Sequence, residues 1–439
     1  MARHNVLIGS TGIPQGILQI AETLPDRNKV AAGDEVVFSF TGKDFVYLTG
    51  LVLLAAWRKS LPGGVTAKVD DVRCLMPTQN LISNSGFREI VDTGHENPSA
   101  QRRAGKLPLR PLTNRLNKDA AVQEVTSILE EYAGHVDDVK PFTTIISELC
   151  ENALTHSEFA SPGYVCARVL ETGDQRRAEI AICDTGIGFR QSYLLGTNDE
   201  VKARIERGAN PIEIAIEGLN SSKPVATTNS VLSYYGFGLY IVRRLVEENR
   251  GQLAILSHGD GIHLDHINRR NLAPTRPFPG TFVAVVLDLD NPLPLEEIYD
   301  QATKSYVGEL PPMAGASPSS RPTSTGATAE PQCQSPPRFG GTVQPQGSTV
   351  ELRHFGTELL TREAGLAIRA ELATRLLGGE AVTVNLDGIS DITPSVADEA
   401  FAKLAERIGL EAFNRVVVFS GGSSLVRRLI DFVMKARIK

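Results

Sequence analysis

Cysteine is scarce in this chain: its 439 residues hold five, Cys74, Cys150, Cys166, Cys183 and Cys333, and no CxxC pair. That scatter supports neither a disulfide framework nor a thiolate zinc site, and a reducing, cytoplasmic compartment is expected. An excess of one charge is also missing, since 45 Lys and Arg face 51 Asp and Glu for a formal net charge of −6. Such a balance attracts neither a phosphate backbone nor an anionic membrane, so nucleic acid is not an expected partner. The longest apolar run, 45–57, is too short to span a bilayer, and the start MARHNVLIGSTG lacks the order of a signal peptide. No GxxxxGKS/T segment exists, which excludes a P-loop.

What is present is ordinary globular material, 41% hydrophobic and 22% charged, in a length that suits two or three domains. Residues 1–95 read as a small α/β unit, with strands at 35–40 and 65–69, a buried helix at 45–60 and another helix at 79–90. The early GSTGIPQG has no clear strand before it. A polar, basic, proline-bearing stretch at 95–115 reads as a connector. From 115 to 292 two helices (119–133, 139–156) lead into strands 163–170 and 178–183, a variable stretch 190–235, a helix 238–249, a strand pair across 252–267 and a closing strand 281–289. Residues 308–349, rich in Pro, Ser, Thr, Gly and Gln, form a flexible linker. A second α/β domain follows at 350–439, with strands 382–386 and 415–419 and helices 395–408 and 424–436.

The chemistry concentrates in the middle. In FTTIISELCENALTHSE the apolar residues recur at helical spacing, while Glu148, Asn152 and His156 share the other face one turn apart. A carboxamide oxygen there suits the shell of Mg²⁺ on a nucleoside triphosphate, and a carboxylate one turn away suits a general base. In AEIAICDTGIGF a strand ends at Asp184, which can accept from an amine such as that of adenine, and Gly186 and Gly188 allow close backbone approach. In YYGFGLYIV, Gly236 and Gly238 open a helix whose first amides suit a phosphate chain.

The order ELCEN, DTGIG, GFGLYIV, PGTF resembles the four motifs of the GHKL superfamily, which groups gyrase-type ATPases, heat-shock chaperones, histidine kinases and MutL-type repair proteins. The resemblance covers about 115–290 and implies an α/β sandwich, a mixed sheet with helices on one face. It implies Glu148 as general base, Asn152 as Mg²⁺ ligand, Asp184 as adenine acceptor, Gly186, Gly188, Gly236 and Gly238 as nucleotide contacts, and Thr281 as support for the adenine pocket. ATP and Mg²⁺ are the cofactors it implies, and the stretch 190–235, with SSKP and TTNS, falls at the family's mobile lid. Lys223 and Arg243 are candidates for the terminal phosphate.

The segment VTVNLDGISDITPSVADEAFAKLAERIG resembles STAS-like domains, with a small hydroxyl residue at a strand-to-helix turn that in anti-sigma-factor antagonists accepts phosphate from a GHKL serine kinase. Ser395 holds that position, just after Thr393, although ITPSVAD replaces the usual acidic-serine-serine-glycine run. Ser395 with Asp398 three residues on also reads as a plain helix cap. Residues 1–95 resemble a STAS-like fold as well, with Thr49 in place of a serine. His258, His263, Asp265 and His266 read as a solvated hairpin away from the motifs, and Cys150 and Cys183 as core residues. His135 reads as part of an interhelical loop rather than a phosphoacceptor. Three functions remain open: a serine kinase acting on its own or a partner's STAS-like domain, an ATP-gated clamp, and a nucleotide-sensing adaptor that does not turn ATP over. The expected partners are ATP and a protein or intramolecular STAS-like domain, with a homodimer left open.

Overall fold

The computed structural model describes residues 1–9, 11–40, 46–95, 103, 105–133, 139–156, 163–196, 198–217, 237–291, 348–359, 362–378 and 380–437. They form two compact units, one ending at Asn291 and one beginning at Ser348. The SSKP and TTNS segments, Gly236, Lys223, His135 and the expected linker as far as 347 lie outside the described residues.

The first unit opens with β1 (Arg3–Ile8), α1 (Gln15–Thr23), β2 (Glu35–Phe40), α2 (Leu48–Lys59) and β3 (Thr66–Asp70), the strands pairing in parallel in the order β1-β2-β3. Helices α3 (Met76–Asn84) and α4 (Phe87–Thr93) follow. A strand does precede GSTGIPQG, contrary to expectation; β1 buries only Val6 and Ile8, too short an alternation to stand out beside Arg3, His4 and Asn5. The loop's Thr11 is buried and donates to Tyr47 O at 3.1 Å, so its hydroxyl secures the start of α2. Gly50 permits this approach, because a Cβ there would sit 2.4 Å from Thr11 Cβ.

The connector contains β4 (Lys106–Pro111), which the prolines had argued against. It is an edge strand with a register break between Leu107 and Arg110, where missing N–H groups cost no ladder bonds. After it come α5 (Arg115–Tyr132), α6 (Lys140–His156), β5 (Tyr164–Thr172), β6 (Gln175–Asp184), α7 (Gly188–Leu195), α8 (Asp199–Glu206) and α9 (Pro211–Glu217). Next are α10 (Phe237–Glu248), β7 (Gln252–His258), β8 (Asp260–Asp265), β9 (Arg269–Leu272) and β10 (Phe278–Asp288). The strands form one seven-stranded sheet, β4-β5-β6-β10-β7-β8-β9. The α/β sandwich is as expected, except that each pairing is antiparallel rather than mixed. The first half of the expected lid is three helices, which bury Tyr193, Val201, Ile205, Ile212, Ile214 and Ile216.

Both faces of this sheet are covered, whereas helices on one face were expected. One face carries α5, α6 and α10, and α2 packs on β5 and β6 from the other. Phe38, Leu51, Trp57 and Phe87 share a single core with Cys166, Ala181, Cys183 and Phe282. Every residue of α2 from Leu48 to Trp57 is buried, and each large apolar side chain there contributes roughly 1.5–3 kcal/mol. Its last turn, Arg58 and Lys59, donates to Val91 O and Gly94 O. The core of residues 1–95 is therefore continuous with this face of the sheet.

The second unit has a parallel sheet of β11 (Ser348–Glu351), β13 (Val382–Asn385) and β15 (Val417–Ser420), and a short parallel pair, β12 (Glu358–Leu359) with β14 (Asp391–Ile392). Its helices are α11 (Arg362–Leu377), α12 (Pro394–Ala397), a π-helical turn at Asp398–Ala402, α13 (Lys403–Ile408), α14 (Leu410–Val416) and α15 (Ser424–Arg437). Phe401 meets Phe419 edge-on at 5.0 Å in the core. Glu399, 1% exposed, is held by Lys403 at 2.5 Å and Arg369 at 2.7 Å.

Candidate nucleotide site

Helix α6 turns Phe142, Ile145, Ile146, Leu149 and Ala153 into the core and leaves Glu148 and Asn152 partly exposed on one side. Its far end reaches the end of β6, where Asp184 is paired in register with Thr281 of β10, and Thr281 with Ser257 of β7. Three side chains thus form a row across three neighbouring strands, and Ser257 Oγ lies 3.2 Å from Thr281 Oγ1. Antiparallel pairing brings together residues a hundred positions apart.

A recess opens over this row, lined by Asn152, Asp184, Gly188 and Thr281 among the polar and small residues. Leu149, Ala153, Ile182, Phe189, Leu239 and Val283 supply its apolar walls. That lining, apolar with few polar groups, suits a flat heterocycle with an exocyclic amine. Asp184 is 3% exposed, and burial raises its carboxyl to about 7 although the Gly186 and Thr281 amides donate to it. Gly186 N lies 2.8 Å from Asp184 Oδ1. Gly188 has φ +71, and a Cβ there would meet His258 Cδ2 at 2.4 Å and Ser257 Oγ at 2.6 Å. Gly280 is tighter: its φ is +115 and a Cβ would fall 2.0 Å from Asp184 O.

Glu148 lies against the first turn of α10, where a Cβ at Gly238 would be 2.4 Å from Glu148 Oε2. Burial, then the charge of Glu151, raises Glu148 to about 7 against the opposing pull of Lys118. Lys118 of α5 is 4% exposed and reaches Glu151 at 2.8 Å and Asp119 at 3.3 Å. Burial works against its charge, but Glu151 and Asp119 outweigh it and hold the ammonium above its ordinary range. The donor set near α6 is oxygen-rich, as Mg²⁺ requires, and among the described residues no cluster of three His, Cys, Asp or Glu could hold a metal alone.

The structure thus brings Glu148, Asn152, Asp184, Gly186, Gly188, Gly238 and Thr281 to one end of the sheet. Arg243 is engaged elsewhere, stacked over Tyr240 at 5.1 Å and 3.7 Å from Glu247. Lys118 and Ser257 escaped the sequence reading; the signal for Lys118 was a lysine one turn before the buried positions Ala121 and Val122. His258 and His263 correct the solvated-hairpin reading, since His263 is 6% exposed and His258 Nε2 lies 3.4 Å from Gly186 O. Cys150 and Cys183 are buried core residues, and burial lifts both thiols, Cys150 to about 12. Thr393, 3% exposed, caps α12 by accepting from Val396 N at 3.4 Å, so Ser395 is not the cap but a residue inside that helix.

Residues 137–291 match the family described as histidine kinase-, DNA gyrase B- and HSP90-like ATPase, and residues 364–427 match a STAS-like domain of unknown function. The comparison with curated proteins gave no match. No helix among the described residues is long and apolar enough to cross a membrane. The chain therefore carries a GHKL-type ATP-binding domain at 137–291, joined to a C-terminal STAS-like domain.

Proposed function

We propose that this protein is a Mg-ATP-dependent regulator whose ATPase domain transfers the terminal phosphoryl group to a hydroxyl, with Ser395 of the STAS-like domain as acceptor. The observation that carries it is Glu148: a carboxylate raised to about 7, on the same helix face as Asn152 and against the α10 N-terminus. A base poised near neutral pH takes a hydroxyl proton with least penalty. The hydroxyl oxygen then attacks the terminal phosphorus, the bond to the bridging oxygen breaks, and ADP leaves with the electron pair.

Asn152 would hold Mg²⁺ together with the nucleotide's own phosphates, and the ion when bound neutralises phosphate charge. Asp184 would accept from the adenine amine, Thr281 and Ser257 would shape the recess beside it, and the α10 amides would serve the phosphate chain. Lys118 positions Glu148 by compensating Glu151. Thr393 is buried and spent on its cap, which disfavours it as the acceptor beside Ser395.

The test incubates the full chain with ATP labelled on its terminal phosphate and follows protein-bound label and free phosphate together. Label retained by the wild type and lost in Ser395→Ala supports the kinase reading. Free phosphate alone replaces it with a hydrolysing clamp, and binding without either leaves a sensor. Glu148→Ala should spare ATP binding and slow transfer by about 10²–10⁴-fold; unchanged turnover would remove Glu148 as the base.

A further inference from the structure

Behind the nucleotide recess, on the α2 side of the same sheet end, lies a cavity of about 650 Å³. It falls within the range of about 300–1,000 Å³ that small-molecule sites occupy. Its walls come from the turn after α1, the approach to β10 and the end of β7, with His4 of β1, Ala21 of α1 and Trp57 of α2. Arg27, Lys29 and Arg276 contribute three cations, with His4 and His258 alongside. Asp26 is the lone carboxylate of the lining among the described residues, and it accepts from Asn28 N at 3.0 Å.

Arg27, Lys29 and Arg276 enter no ion pair among the described residues. Like charges gathered around a cavity repel, and an anion between them relieves that repulsion. Apart from Asn28, the remainder of the lining is apolar, including Leu24, Trp57 and Phe278. Trp57 is fully buried and its Nε1 has no hydrogen-bond partner, unusual for an indole donor.

The cavity and the recess share backbone. Phe278 pairs with His258, a register break follows at Pro279 and Gly280, and pairing resumes with Thr281 opposite Ser257. Phe278 and Pro279 line the cavity, Gly280 presses on Asp184 O, and Thr281 lines the recess. His258 spans the other side: its φ of +53 is a left-handed conformation rare outside glycine, and its ring abuts Gly186 and Gly188.

We propose that this cavity is a second ligand site, for a small organic anion with an apolar body and at least two negative charges, its head held by Arg27 and Arg276. The proposal does not depend on phosphoryl transfer.

The probe is 1-naphthyl phosphate, titrated into the full chain by calorimetry, with 1-naphthol as its uncharged control. Binding should be seen for the phosphate, weaken at least about tenfold in Arg27→Gln/Arg276→Gln, and weaken similarly for 1-naphthol. Asp184→Asn should leave it unchanged. Equal affinity in the double variant, no binding to the wild type, or loss in Asp184→Asn would each overturn the assignment, the last by moving the probe into the nucleotide recess.

Discussion

At the scale of single residues, Gly238 and Gly280 are constrained in different ways, and their alanine variants should fail differently. A methyl at Gly238 meets the movable end of the Glu148 side chain, so Gly238→Ala should keep its melting temperature and lose turnover. A methyl at Gly280 meets backbone at 2.0 Å with φ at +115, so Gly280→Ala should cost about 1–3 kcal/mol or more and lower the melting temperature. Asp184 makes a third case. Its folded pKa of about 7 stands above the ordinary 3.8, so the native state holds the proton more tightly than the unfolded chain. Stability from this group is present below about pH 4 and is lost as pH rises through about 7. Asp184→Asn, which cannot ionise, should therefore gain melting temperature over the wild type at about pH 8 and show no such gain at about pH 4. The same variant should bind ATP at least about tenfold more weakly, measured by titration.

At the scale of elements, α2 is the unusual one. Its ten buried residues serve two sheets, so Trp57→Ala should cost about 3–5 kcal/mol and loosen the ATPase domain's strands along with β1–β3, read by hydrogen exchange in β5 and β6. A signal for this lay in the sequence. YVCA, IAIC and LAIL are continuous apolar runs, which sheets covered on both faces produce, whereas a sheet with one wet face alternates. Read that way, the runs call for a second covering layer, and 48–57 is the apolar helix available. The motif-bearing elements α6, β6, α10 and β10 were legible because each couples a periodic apolar face to a punctuating Gly or Asp. β4 was hidden by its prolines, and α7 to α9 by short lengths and polar joints, although Ile212, Ile214 and Ile216 marked buried positions. The Asp184–Thr281–Ser257 row depends on strand register, which no local pattern specifies.

At the scale of the whole molecule, the described chain has two cores, one through Asn291 and one from Ser348. Calorimetry should resolve two unfolding transitions, and ATP should raise only the one that belongs to residues 1–291. At a nucleotide concentration about 100 times its Kd the shift corresponds to about 2.7 kcal/mol. A single transition, or a shift of both, would mean that the cores unfold as one.

The rims of the seven-stranded sheet have a further effect. Pro108 and Pro111 on β4 have no N–H to offer an incoming strand, and β9 presents exposed Arg269 and Arg270 at the opposite edge. Edges of this kind disfavour pairing with a strand from another molecule. A partner that met this sheet would then meet its faces or loops rather than its rims.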